Sequence, residues 1–144
     1  MGRPMGGGSP ADAACIFCRI IARDAPAHVV YEDDRTLAFL DAFPVTRGHV
    51  LVVPKRHVDR LLELPEDEYG GFLKAVARVC QRVERLSTHY NVSLNQGELA
   101  GQIVFHLHFH VIPRYGEGTP QWGRPRNALK DDDARDLLGS LSAS

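Results

Sequence analysis

No apolar run in this sequence approaches the ~20 consecutive residues that a membrane-spanning helix needs. An excess of either charge is missing too. Seventeen basic residues stand against eighteen acidic ones, for a net charge of −1. Such a balance gives no electrostatic hold on a nucleic acid or an anionic membrane. The start is rich in Gly and Pro and lacks the apolar stretch of a signal peptide, so a cytoplasmic location is the default expectation. Cysteines number only three. An odd count without a secretion signal argues against a disulfide framework. Internal repeats are absent. The length, 144 residues, suits one domain with a real core.

What is present is concentrated in His106-Leu107-His108-Phe109-His110-Val111-Ile112-Pro113. Three of the seven histidines stand there at alternate positions, separated by apolar residues. Strand side chains alternate between faces, so the pattern predicts a strand with one face in a core and a row of imidazoles on the other. At ~3.3 Å per residue, neighbouring imidazoles start ~7 Å apart and the outer two ~13 Å. Three ligands so spaced do not close easily on one metal ion, although two neighbours can. The row can instead track an extended anion such as a polyphosphate. Burying three imidazoles without a purpose would cost hydrogen-bond partners each time.

The remaining chain reads as α+β. Residues 1–14 form a disordered leader. Residues 15–22 suit a short amphipathic helix through Ile16, Phe17, Ile20 and Ile21. It begins with Cys15-x-x-Cys18, which is a redox pair, half a zinc site or chance. A redox motif is expected near a βαβ unit, and none is visible. A zinc site needs two more ligands, for which His57 and His106 are the best candidates; two thiolates and two neutral imidazoles make an uncharged tetrahedral set. Val29-Val30-Tyr31 and residues 36–40 predict two strands around a turn at Asp33 and Asp34, with Asp41 at the end. A carboxylate there can accept hydrogen bonds from two adjacent hydroxyls. Residues 48–54 predict a central strand, followed by a solvated Lys55-Arg56 pair.

Residues 64–68 open the one long helix. Its apolar face carries Phe72, Leu73, Val76, Val79, Val83 and Leu86, with Cys80 as a small buried apolar residue. His89 beyond it is exposed. Residues 92–95 are a short strand, Asn95-Gln96-Gly97 turns the chain, and Gly101-Gln102 starts the last strand. Asn95 and Gln102 can offer amide hydrogens to phosphate oxygens or orient an imidazole. Lys130-Asp131-Asp132-Asp133 caps a short final helix with Leu137, Leu138 and Leu141 on one side.

The triplet His106-Leu107-His108-Phe109-His110-Val111-Ile112 resembles the signature of the histidine triad (HIT) family of nucleotide hydrolases and transferases. Cys15-Ile16-Phe17-Cys18-Arg19-Ile20-Ile21, Phe39-Leu40-Asp41, Gly48-His49-Val50-Leu51-Val52-Val53-Pro54-Lys55, Asn95-Gln96-Gly97 and Gly101-Gln102 are similar to that family in the same order. The cysteine pair places the resemblance in its zinc-containing, bacterial Hint-like branch. The resemblance implies a HIT domain over residues 15–115 with about five antiparallel strands, one long helix and short helices. It implies a homodimer with sheets joined across the subunits. Residues 116–144, including Trp122, would then contribute to the dimer or to substrate specificity.

It further implies a structural zinc on Cys15, Cys18, His57 and His106, and no organic cofactor. Phe17, Ile20 and Phe39 fall where the family encloses the base, and Asp41 where it binds ribose. His108 falls on the nucleophile, with His110, Asn95 and Gln102 on the α-phosphate. The implied reaction is hydrolysis of purine nucleoside phosphoramidates or dinucleoside polyphosphates through a nucleotidyl-histidine, releasing a nucleoside monophosphate. The chemistry is reasonable: a largely neutral imidazole attacks phosphorus, and the bond it forms is labile. No magnesium motif is evident. One departure is Ile103, where many phosphoramidase members carry a serine. Three other readings stay open. One is a nucleotidyl transferase, against which His110 argues, since such members often carry glutamine there. The others are a regulatory nucleotide-binding module with incidental activity, and a hydrolase using the histidine row on zinc.

Overall fold

The computed structural model describes residues 14–116 and 126–142. The expected leader, apart from Ala14, and Trp122 lie outside the described residues. Five strands form one antiparallel sheet: β1 (Val29–Glu32), β2 (Thr36–Leu40), β3 (Val50–Pro54), β4 (Tyr90–Leu94) and β5 (Phe109–Pro113). Their order is β1-β2-β3-β5-β4. The helices are α1 (Ile16–Ile21), α2 (Tyr69–Val83) and α3 (Asp131–Leu141). No helix among the described residues is long and apolar enough to cross a membrane.

The hairpin joining β1 to β2 turns on Asp33, whose Oδ1 accepts the N–H groups of Arg35 and Thr36 at 3.0 and 2.9 Å. β2 and β3 are buried along their whole length, because both faces of the sheet are covered there. On one face α2 packs Phe72, Val76, Val79 and Val83 against Ala38, Leu40, Val50 and Val52, with Leu137 and Leu141 of α3 in the same cluster. On the other, α1 packs Phe17 and Ile20 against Leu37, Phe39, Leu51 and Val53. The two-residue period of β2 and β3 thus divides one run of apolar residues between two cores. Gly48, which leads into β3, has φ +93°, and a Cβ there would lie 2.4 Å from Leu86 Cδ1.

Several local expectations are corrected. The last strand starts at Phe109, not at Gly101-Gln102, so His106 and His108 precede it. Its ladder with β3 ends at Val52↔Phe109. Two residues further along β3, Pro54 has no N–H to offer, and the Leu107 N–H donates to Val58 O at 2.7 Å instead. Pro65 precedes a 3-10 turn, Glu66–Glu68, and α2 itself starts at Tyr69. Leu73 is exposed, because it falls beside the stripe of Phe72, Ala75, Val76, Val79 and Val83. Cys80 is half-buried, not buried. Lys55 and Arg56 are ion-paired, to Glu32 at 2.7 Å and to Glu68 at 2.6 Å. Lys130 is the N-cap of α3 without a side-chain bond, and the three aspartates sit in the first turn, at the positive end of the helix dipole.

Candidate active site

Cys15 caps α1, and its Sγ accepts the Cys18 N–H at 3.4 Å. One turn of helix therefore presents two thiols side by side. The chain after β3 brings His57 to them, and the extended stretch before β5 brings His106. Cys18 Sγ lies 3.1 Å from His57 Nδ1 and 3.6 Å from His106 Nδ1, and Cys15 Sγ lies 3.5 Å from His106 Nδ1. The two Nδ1 atoms are 3.2 Å apart. All four residues are buried. A tetrahedral zinc with bonds of ~2.0–2.3 Å separates its ligands by about 3.3–3.8 Å, close to this spacing. The outer nitrogens are engaged as metal-ligating imidazoles require. His106 Nε2–H donates to Pro54 O at 2.8 Å, and His57 Nε2 faces Asp59 Oδ1 at 3.3 Å. Both Nδ1 atoms therefore turn their lone pairs to the thiols. The donor set fits the metal inferred from the sequence.

Beside this cluster lies a cavity of about 1020 Å³. Phe17, Ile20, Phe39 and Leu51 line its apolar part, and Asp41, Asn95, His108 and His110 its polar part. Phe17 meets Phe39 edge to face at 5.4 Å and His108 at 5.1 Å. The rings of His108 and His110 are 4.9 Å apart.

Hydrogen bonds assign the tautomer of each imidazole. His108 Nδ1–H donates to His106 O at 2.7 Å, which leaves the Nε2 lone pair of His108 unprotonated. A second chain of bonds sets His110. The Val45 N–H donates to His49 Nδ1 at 3.0 Å, so neutral His49 carries its hydrogen on Nε2. That nitrogen lies 3.0 Å from His110 Nδ1. His110 therefore accepts on Nδ1 and keeps its own hydrogen on Nε2. The result is a lone pair on His108 beside an N–H on His110.

Electrostatics hold these rings neutral. Burial lowers the pKa of His108, with the His106 carbonyl acting the other way. Burial, then the neighbouring His108 and Arg126, push His110 down to about 3. Burial pushes His49 well below the ordinary histidine value, with His110, Arg126 and His108 adding to it. Burial raises the Asp41 carboxyl, against the Phe43 N–H and Arg126. The Phe43 N–H donates to Asp41 Oδ1 at 2.9 Å.

Of the residues singled out from sequence, Asp41, Phe17, Ile20, Phe39, Asn95, His108 and His110 converge on the cavity. Gln102 does not. Its Oε1 accepts the Gly97 N–H at 2.7 Å, and its Nε2 donates to Asp59 O at 3.3 Å and Val104 O at 3.1 Å. Its donors are used up bracing the 97–104 loop, so it has none left for a phosphate. His49 is the residue the sequence reading passed over. Its signal was one imidazole inside an apolar run, at a place where burial demands a partner.

A profile of the HIT domain matches residues 22–117. An uncharacterized HIT-like protein of Methanocaldococcus jannaschii is 45% identical over 128 residues, covering 87% of this chain and 99% of that protein. The adenosine 5′-monophosphoramidase of Schizosaccharomyces pombe is 39% identical over 134 residues, covering 90% and 97%. Among solved structures, a zinc-bound histidine triad family protein from Mycobacterium smegmatis is similar with a TM-score of 0.76 at 34% identity, covering 90% of this chain and 94% of its own. Sequence and fold agree along nearly the whole length of each partner, and the chain belongs to the HIT domain family.

Proposed function

We propose that this protein hydrolyses purine nucleoside phosphoramidates or dinucleoside polyphosphates at the α-phosphate, through a nucleotidyl intermediate on His108. The observation that carries this reading is the pair of fixed tautomers, an Nε2 lone pair on His108 beside an Nε2–H on His110. His108 Nε2 attacks phosphorus, the new P–N bond forms, and the bond to the leaving group breaks with its electrons going to the departing phosphate oxygen or to the amine nitrogen, which takes a proton from solvent. His110 Nε2–H and the Asn95 amide stabilise charge on the non-bridging oxygens. Water then attacks phosphorus, the P–N bond breaks with its electrons returning to the imidazole, and a nucleoside monophosphate leaves. Phe17, Ile20 and Phe39 enclose the base, and Asp41 accepts from the ribose hydroxyls. The phosphoramidase name of the S. pombe relative supports the reaction class. Ile103, 78% exposed at the cavity rim, offers a leaving amine no hydroxyl.

Cys15, Cys18, His57 and His106 would hold a zinc ion with no open coordination position, and its contribution is structural. The zinc-bound M. smegmatis relative supports that assignment.

His108→Ala is expected to cut turnover of adenosine 5′-phosphoramidate and diadenosine polyphosphate by on the order of 10⁴-fold or more, with an unchanged circular dichroism spectrum. Near-wild-type rates in that variant would remove His108 as nucleophile.

A further inference from the structure

One cation lining the cavity has no part in the chemistry above. Arg126 lies on the stretch leading into α3 and lines the cavity with Leu129 and Asp131. That stretch is anchored. The Leu129 N–H donates to Ala42 O at 2.8 Å, one residue after Asp41, and α3 is fixed in the core by Ala134, Leu137 and Leu141. Arg126 Nη1 is buried and has no hydrogen-bond partner among the described residues. A guanidinium nitrogen that has left water without gaining an acceptor is costly. An orphan of this kind in a folded protein calls for an explanation, and a missing ligand supplies one.

The charges around it indicate which ligand. Arg126 is the only Lys or Arg among the described residues lining the cavity. His110 sits there with its pKa held down to about 3, His108 keeps its hydrogen on Nδ1 against His106 O, and the Gln102 amide is engaged elsewhere. A phosphate entering between them would meet neutral donors and the Asp41 carboxylate, with one positive group to balance its charge. Arg126 lines the same cavity as Asp41, His108 and His110, and the Leu129–Ala42 bond fixes its stretch next to Asp41.

We propose that Arg126 is a substrate-binding residue whose guanidinium takes a non-bridging oxygen of the phosphate presented to His108, so that the site selects nucleotides over nucleosides. This rests on the nucleotide reading of the cavity. The planar fork suits a phosphate better than a point charge does.

The test is calorimetric binding of AMP and of adenosine to the wild-type protein, Arg126→Gln and Arg126→Lys at one ionic strength, with melting curves to confirm folding. AMP should bind the wild type more tightly than adenosine. Arg126→Gln should weaken AMP by about 10- to 100-fold, the range for a hydrogen bond to a charged group, and leave adenosine unchanged. Arg126→Lys should fall between. Unaltered AMP affinity in Arg126→Gln overturns the assignment while the nucleotide reading stands. Equal weakening of AMP and adenosine also overturns it, since Arg126 would then only support the cavity wall. A wild type that binds neither compound overturns both.

Discussion

At His110 and His49 the imidazole protons set how the fold responds to acid. An unfolded histidine titrates near ~6.5, whereas His110 in the fold is held down to about 3 by burial, His108 and Arg126, and His49 is lowered by burial before the other groups. As the pH falls through ~6.5 the unfolded chain takes up protons that the folded chain refuses. These rings therefore contribute stability above that pH, and it is lost progressively towards about pH 3. The melting temperature should decline between pH 7 and 4, and His110→Asn should decline less steeply than wild type. Thermal melts across that interval decide it; parallel slopes would mean that His110 does not stay neutral on folding. At this scale the sequence was only partly informative. Alternation exposed His106, His108 and His110, since regular spacing is itself a signal. The role of His49 depends on the Val45 N–H and that of Gln102 on Gly97, Asp59 and Val104. A side chain's donor inventory does not say which distant or local atom has already claimed it.

Among the elements, α1 is too short to stand alone; a helix of six residues lies far below the ~12–15 at which isolated helices become even marginal. Packing of Phe17 and Ile20 holds it, and the thiol–imidazole cluster ties its first turn to the chain after β3 and before β5. Protein purified under reducing conditions is expected to carry about one zinc per chain, the count a closed four-ligand site takes. Cys18→Ser should lose that zinc and melt roughly 5–15 °C lower. Elemental analysis with melting curves measures both, and markedly substoichiometric zinc in the wild type would end the proposal. Most elements were readable from local chemistry: the Asp33 turn, the apolar run of β3, the stripe of α2. The start of β5 was not. Alternation reports an extended chain, whether or not a neighbouring strand is bonded to it, and here the Leu107 N–H turns to Val58.

For the molecule as a whole, the sheet order leaves β1 and β4 as edges. Open strand edges invite pairing. β4 carries Val92 at 44% exposure, and Leu99 and Phe105 in the connection to β5 are exposed as well. We propose that β4 meets β4 of a second copy. Light scattering should then give twice the 16.0 kDa chain mass, and Val92→Lys should shift the population towards single chains. A wild type that stays at the single-chain mass at micromolar concentration would refute the pairing. The α+β class and the single sheet were legible as a whole because each element is short and strongly patterned. The return of the chain through Arg126 over the cavity was not, since no local pattern in that stretch says where it lands.

His106 belongs to two neighbourhoods at once. Its ring faces the thiols, while its carbonyl oxygen holds the hydrogen of His108. If zinc is held there as proposed, stripping it with a chelator would let that ring move, and the carbonyl would shift with it. Turnover would drop although the metal had never met the substrate, so a chelator titration alone would mimic the behaviour of a metallohydrolase.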